Sequence, residues 1–259
     1  MTELLGEATV FDMGSLASYE GKMTIELLRE IFPGYQIHQH YLTEPRLSAE
    51  VCWLFQITMA TGKKMTVMVK ERELVLSSRS TKELVTELFE REQHLSYKLY
   101  CRAFREQVSG GETGWHKMVC PCLKSAWIPT EGASRNVSQT WVNAMKITHI
   151  TAIKAGSGKV GDVYMGQQRL KTGRDWRTVA KSYSRAAQIY LLFHPFFDSQ
   201  KHTFEMATEK LKLYNVASPF FCQQAQRMIK ELRRFDREDF YRIYNNLRKE
   251  EILKCHCNE

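Results

Sequence analysis

Residues 154–166, KAGSGKVGDVYMG, hold the group of side chains that most resembles a catalytic motif in this sequence. A phosphate-binding P-loop needs a glycine, four residues, then Gly-Lys-Ser/Thr opening a helix. Counting back from Gly158-Lys159, the first glycine falls on Ile153, and the residue after the lysine is Val160. The hydroxyl that would hold magnesium is missing, and the β-branched run that follows predicts a strand. The segment therefore reads as a hairpin turn, and Lys154 and Lys159 at its base can meet phosphates only as point charges.

Two other groupings could hold a metal. Cys120-Pro121-Cys122 and Cys255-His256-Cys257 offer thiolates and an imidazole, which suit zinc. Their C-x-C spacing is tighter than the usual C-x₂₋₄-C of structural zinc sites. A nuclease would need several carboxylates beside its substrate. Residues 101–190 offer only Glu106, Glu112, Glu131, Asp162 and Asp175, and the eight histidines form no H-E-x-x-H motif. The expectation is a protein without catalytic chemistry, cofactor or metal.

Charge carries more information. Of 37 Lys+Arg and 29 Asp+Glu in 259 residues, residues 101–190 hold 14 and 5, a net +9. Residues 1–100 sum to −3 and residues 191–259 to +2. A basic block of this size between near-neutral flanks is the pattern of a surface that meets a polyanion. At helical period, Arg174, Arg177, Lys181, Arg185 and Gln188 form one edge of GRDWRTVAKSYSRAAQIYLLF. Trp176, Val179, Tyr183, Ala187 and Tyr190 form the packing face. With Lys146, Lys154, Lys159, Arg169 and Lys171, these cations are the expected phosphate contacts of double-stranded DNA. Arg135 and Gln139, in the polar loop Ser134–Gln139, are the expected contacts to base edges.

The elements that must position these groups predict an α+β fold: a mixed, β-rich core of hairpins with packed helices, followed by a helical C-terminal region. VCWLFQITMATGKKMTVMVKERELVLSS, residues 51–78, reads as strands around a turn at Thr61–Lys64. Ser80-Thr81-Lys82-Glu83 is a capping box opening a helix, with Leu84, Leu88, Leu95 and Leu99 along one stripe to about residue 108. MKITHITAIK and Val160–Met165 predict a second hairpin. The division expected is a mixed domain over 1–195 and a packing or oligomerisation region over 196–259, with helices near 199–214, 219–234 and 237–254. The seven cysteines, odd in number and scattered, predict reduced thiols, and the N-terminus lacks the order of a secretory signal. No apolar run approaches membrane-span length, so a cytoplasmic protein is expected.

Short elements between residues 65 and 190 resemble, in order, the ComK-type competence transcription factors. They are SSRSTKEL at 77–84, CRAF at 101–104, GETGWHK at 111–117, WIPTEGAS at 127–134, TWVNAMKITHI at 140–150, YMGQQRL at 164–170 and SYSRAAQ at 182–188. The sequence departs from that pattern at Ile128 before Pro129 and at Glu131-Gly132-Ala133, which lengthens the interval to Ser134. The resemblance implies a DNA-binding activator of competence genes that recognises A·T-rich sites through the minor groove. It also implies a homo-oligomer and control by an adaptor protein of a regulatory protease. Two other classes stay open: a scaffold whose basic face docks an acidic partner or RNA, and a metal-dependent nucleic-acid-processing enzyme.

Overall fold

The computed structural model describes residues 9–12, 16, 19, 21–39, 44–107, 118–120, 125–130, 140–156, 158–193, 220 and 237–256. The α+β reading holds: the strands form two mixed sheets, and helices pack against them.

The larger sheet contains β2 (Gln36–Gln39), β3 (Trp53–Thr58), β4 (Lys64–Val69), β5 (Glu73–Ser77), β6 (Met118–Cys120), β7 (Ser125–Pro129) and β8 (Trp141–Asn143), in the order β2-β5-β4-β3-β8-β7-β6. The expected hairpin forms its centre. Trp53 pairs with Val69 and Thr58 with Lys64, and the turn is made by Gly62 at φ +79°, a conformation that favours glycine. Val67, Met68 and Val69 are all buried, as are Leu74, Val75 and Leu76. Such unbroken burial marks strands covered on both faces.

Helix α1 (Ile25–Ile31) follows the N-cap Thr24, whose hydroxyl accepts from Leu27 N at 3.1 Å. Helix α2 (Thr81–Gln93) opens on the expected capping box. Glu83 N donates to Ser80 Oγ at 3.2 Å, and Ser80 N donates to Glu83 Oε2 at 2.7 Å. The single helix expected to about residue 108 is instead two. His94 takes the left-handed conformation, φ 53°, and caps α2; the chain restarts as α3 (Tyr97–Gln107). The leucine stripe survives the break, with Leu84, Leu88 and Leu99 buried.

The smaller sheet holds the basic segment. Its order is β1-β11-β10-β9, with β1 (Thr9–Asp12) parallel to β11 (Gln168–Asp175), and β10 (Gly158–Met165) antiparallel to both β11 and β9 (His149–Ala155). Lys154 and Ala155 thus end β9 and Gly158–Met165 form the antiparallel β10, as the failed P-loop count requires. Strand β11 was not foreseen. Its composition, QRLKTGRD, is poor in β-branched residues, and only alternate positions, Gln168, Leu170 and Thr172, are buried. Helix α4 (Trp176–Phe193) follows β11 directly.

Gln168 locks the two sheets together. Its Oε1 accepts from Trp53 Nε1 at 3.0 Å. Its Nε2 donates to Tyr35 Oη at 3.0 Å and to Lys70 O at 2.8 Å. Beside this lock, Phe11 of β1 stacks on Phe32 at 4.7 Å and lies 5.4 Å from Trp53, so one apolar cluster runs through both sheets.

Of the C-terminal region 196–259, the described part is one helix and Phe220. Helix α5 (Arg237–His256) lies on α3, with Phe240 4.9 Å from Phe104 and 5.7 Å from Tyr100. Ser96 N donates to Tyr244 Oη at 2.8 Å, and the ion pairs Lys98–Glu251 and Arg102–Glu250 flank the contact. The expected helices at 199–214 and 219–234 lie outside the described residues, apart from Phe220. No helix among the described residues is long and apolar enough to cross a membrane.

Candidate nucleic-acid interface

The register of the small sheet sorts the expected phosphate contacts. Lys154 and Lys159 stand directly opposite each other near the end of the hairpin, where Gly156 has φ +57°. Side chains alternate along a strand, so Lys159 shares its face with Gly161 and Val163. That face carries helix α4. A Cβ on Gly161 would lie 3.1 Å from Val179 Cγ2 and 3.1 Å from Thr172 Oγ1, so glycine is what lets the start of the helix rest on the hairpin. Val160 pairs with Asp175, which brings the end of β11 to the same place.

Arg174, Arg177 and Lys181 enter from there. Arg174 Nη1 donates to Pro129 O at 3.4 Å, while Arg177 and Lys181 are exposed on the first turns of α4. The helix terminus itself is closed to anions: Asp175 Oδ1 accepts from Arg177 N at 3.0 Å and from Thr178 N at 3.4 Å. Side-chain cations, and not the amide donors, are the groups offered to an anion here. Lys154, Lys159, Arg174 and Arg177 have no carboxylate within ion-pair distance among the described residues.

Four other expected contacts do not join this end. Arg169 and Lys171 share the opposite face with Asp162 and Tyr164, as their pairings require. Arg169 Nε lies 3.0 and 2.8 Å from the two oxygens of Asp162, and Nη2 lies 2.8 Å from Oδ2. Asp162 is 0% exposed and also accepts from Tyr164 Oη at 2.9 Å. The guanidinium sits 5.4 Å from the Tyr164 ring centroid. Lys171 Nζ is held by Asp12 Oδ2 at 2.6 Å. Both cations are thus neutralised within the fold.

Arg185 corrects the expected basic edge. It is only 8% exposed, because the second half of α4 is embedded: Ala186, Ala187, Ile189 and Tyr190 around it are buried. Lys146 ends a short 3₁₀ turn, Ala144–Lys146, and lines an open groove of about 710 Å³ with Cys52, Lys70, Arg72 and Gln168. Lys70 there is paired with Glu50 at 3.3 Å and Glu73 at 3.2 Å. Burial pushes the Cys52 thiol up to about 11, with Lys146 pulling weakly the other way, so the sulfur is protonated at neutral pH and is a poor nucleophile.

Arg135 and Gln139, with the rest of their polar loop, lie outside the described residues. So do Cys122 and Cys257 and the side chains of Cys120, Cys255 and His256, on which the zinc reading depends. Among the described residues no three His, Cys, Asp or Glu side chains group to hold a metal ion. Of the carboxylates in the basic third, Glu106 pairs with Arg102, Asp162 with Arg169, and Asp175 caps α4.

Sequence reasoning missed the two neutralising partners. Asp162 stood in plain view beside the turn, but its role needed the register of β11. Asp12 lies 159 residues from Lys171, and no local pattern announces it. No family model, curated protein or solved structure matches the chain.

Proposed function

We propose that this chain is a non-enzymatic DNA-binding regulator that grips the duplex with its basic end. Lys154 and Lys159 at the hairpin tip, with Arg174, Arg177 and Lys181 at the start of α4, hold phosphates. The observation that carries the reading is the meeting of Lys154 and Lys159 as a direct cross-strand pair beside those helix cations. Like charges directly opposite destabilise a sheet, and a bound polyanion relieves that repulsion. Arg169, Lys171 and Arg185 drop out of the proposed footprint, and Lys146 lies apart from it.

The finer proposal is a cytoplasmic competence-gene activator that binds A·T-rich sites as a homo-oligomer under an adaptor protein's control. It rests on the short matches between residues 77 and 188, with Arg135 and Gln139 as its base-edge contacts.

Anisotropy titration of a labelled duplex over a series of salt concentrations tests the grip. Counterion release from about five neutralised phosphates gives a slope of log K against log salt of about −4 to −5. A slope shallower than about −2 contradicts a five-cation footprint. Tight capture of an acidic protein alongside such a flat response would favour protein docking instead.

A further inference from the structure

Trp176 opens α4 between Arg174 and Arg177, and its surroundings set it apart. The other three described tryptophans, Trp53, Trp127 and Trp141, are 0%, 0% and 4% exposed. Trp176 is only partly buried. Its indole makes no stacked, edge-on or cation contact with a described ring or cation, and it is not among the partly buried side chains that pack on the core. The packing face expected for this helix begins one turn later, at Val179, and continues through the buried Tyr183 and Tyr190. A large aromatic ring is thus left partly exposed between Arg174 and Arg177, at a position where an amphipathic helix would place a packed residue.

We infer that Trp176 stacks on one unpaired base of the bound nucleic acid, an inference that rests on the DNA-binding reading above. An indole face stacks on any base without reading its edge, while cations beside it hold the adjoining phosphates. Proteins that follow a long single strand line their groove with successive aromatic platforms. Here α4 offers one partly exposed ring, since Tyr183 and Tyr190 are buried. One ring flanked by phosphate-holding cations suits a duplex with a single base out of the stack. It also suits a flexible step that an apolar side chain can open.

The test compares a fully paired labelled duplex with the same duplex carrying one bulged adenine, using the full chain at fixed salt. The wild type is expected to prefer the bulged duplex by about 5- to 100-fold, the range that stacking of one base supplies. W176A should erase the preference and leave the affinity for the paired duplex within about twofold, because the cations remain. W176F, which keeps a ring, should retain most of the preference. Acrylamide quenching of tryptophan fluorescence should fall when the wild type binds the bulged duplex and change little in W176F. If the wild type binds both duplexes equally, or W176A keeps the preference, the role of Trp176 is overturned while the grip on DNA stands. If the wild type binds neither duplex, the DNA-binding reading falls and takes this inference with it.

Discussion

Reversing two charges at the start of α4, R177E with K181E, is expected to abolish duplex retention at moderate salt while circular dichroism and the thermal midpoint stay unchanged. Both side chains are exposed at the helix surface, so no core contact is lost. A unit charge about 4 Å from another is worth about 1 kcal/mol in water. Each reversal removes one attraction and adds one repulsion, so two reversals approach 4 kcal/mol, or about a thousandfold before screening. Screening at 0.1 M salt reduces this, and a loss of about 30-fold or more is the expected reading. The same reversals at Lys63 and Lys64 are the matched control for surface charge. Both are exposed on the central hairpin of the larger sheet and belong to no part of the proposed footprint. A variant pair with undiminished retention would remove α4 from the interface.

Asp162→Ala should give the largest loss of stability among single substitutions near the site, with little effect on DNA. The carboxylate is fully buried and accepts from Arg169 through two nitrogens and from Tyr164 Oη. Removing one partner of a buried pair destabilises by about 3–5 kcal/mol. The Arg169 side chain is 33% exposed and can turn to water, which places the expectation near the lower end. For a chain of this length, about 3 kcal/mol lowers the thermal midpoint by roughly 6–12 °C. Asp162→Asn keeps the volume and one acceptor, so its loss should be smaller. Duplex affinity of the folded variants should stay within about twofold at 0.15 M salt, because the freed charge lies beyond the face that carries Lys154 and Lys159. An unchanged midpoint would mean that the Arg169–Asp162 pair does not hold β10 to β11.

The pattern of correct and incorrect readings follows from the range of each signal. Local signals were legible: the turn at Gly62, the capping box of Ser80 and Glu83, and the failed P-loop count all depend on residues within a few positions. The amphipathic phase of α4 was legible too, since Val179, Tyr183, Ala187 and Tyr190 are buried as the period requires. A helical period fixes the direction of a stripe but not the depth to which its neighbours close around it. That is why Arg185, in phase with Arg177 and Lys181, is covered in the fold, while Trp176, in phase with the core, is left partly exposed. Strand β11 escaped because six of its eight residues are polar, and its pairing is set by strands distant in the sequence. The pairing of Lys171 with Asp12 belongs to that same long-range register, so net charge alone overstated the free cations of the middle third.

The proposal requires that phosphates meet the hairpin tip and the start of α4 together. Amide chemical-shift mapping of the full, isotope-labelled chain titrated with duplex DNA addresses this directly. The expected result is a contiguous set of perturbed amides in residues 153–160 and 174–181, with the outer face of β11 around Arg169 and Lys171 undisturbed. Perturbations confined to that outer face or to the groove beside Lys146, or none at saturating duplex, would contradict it.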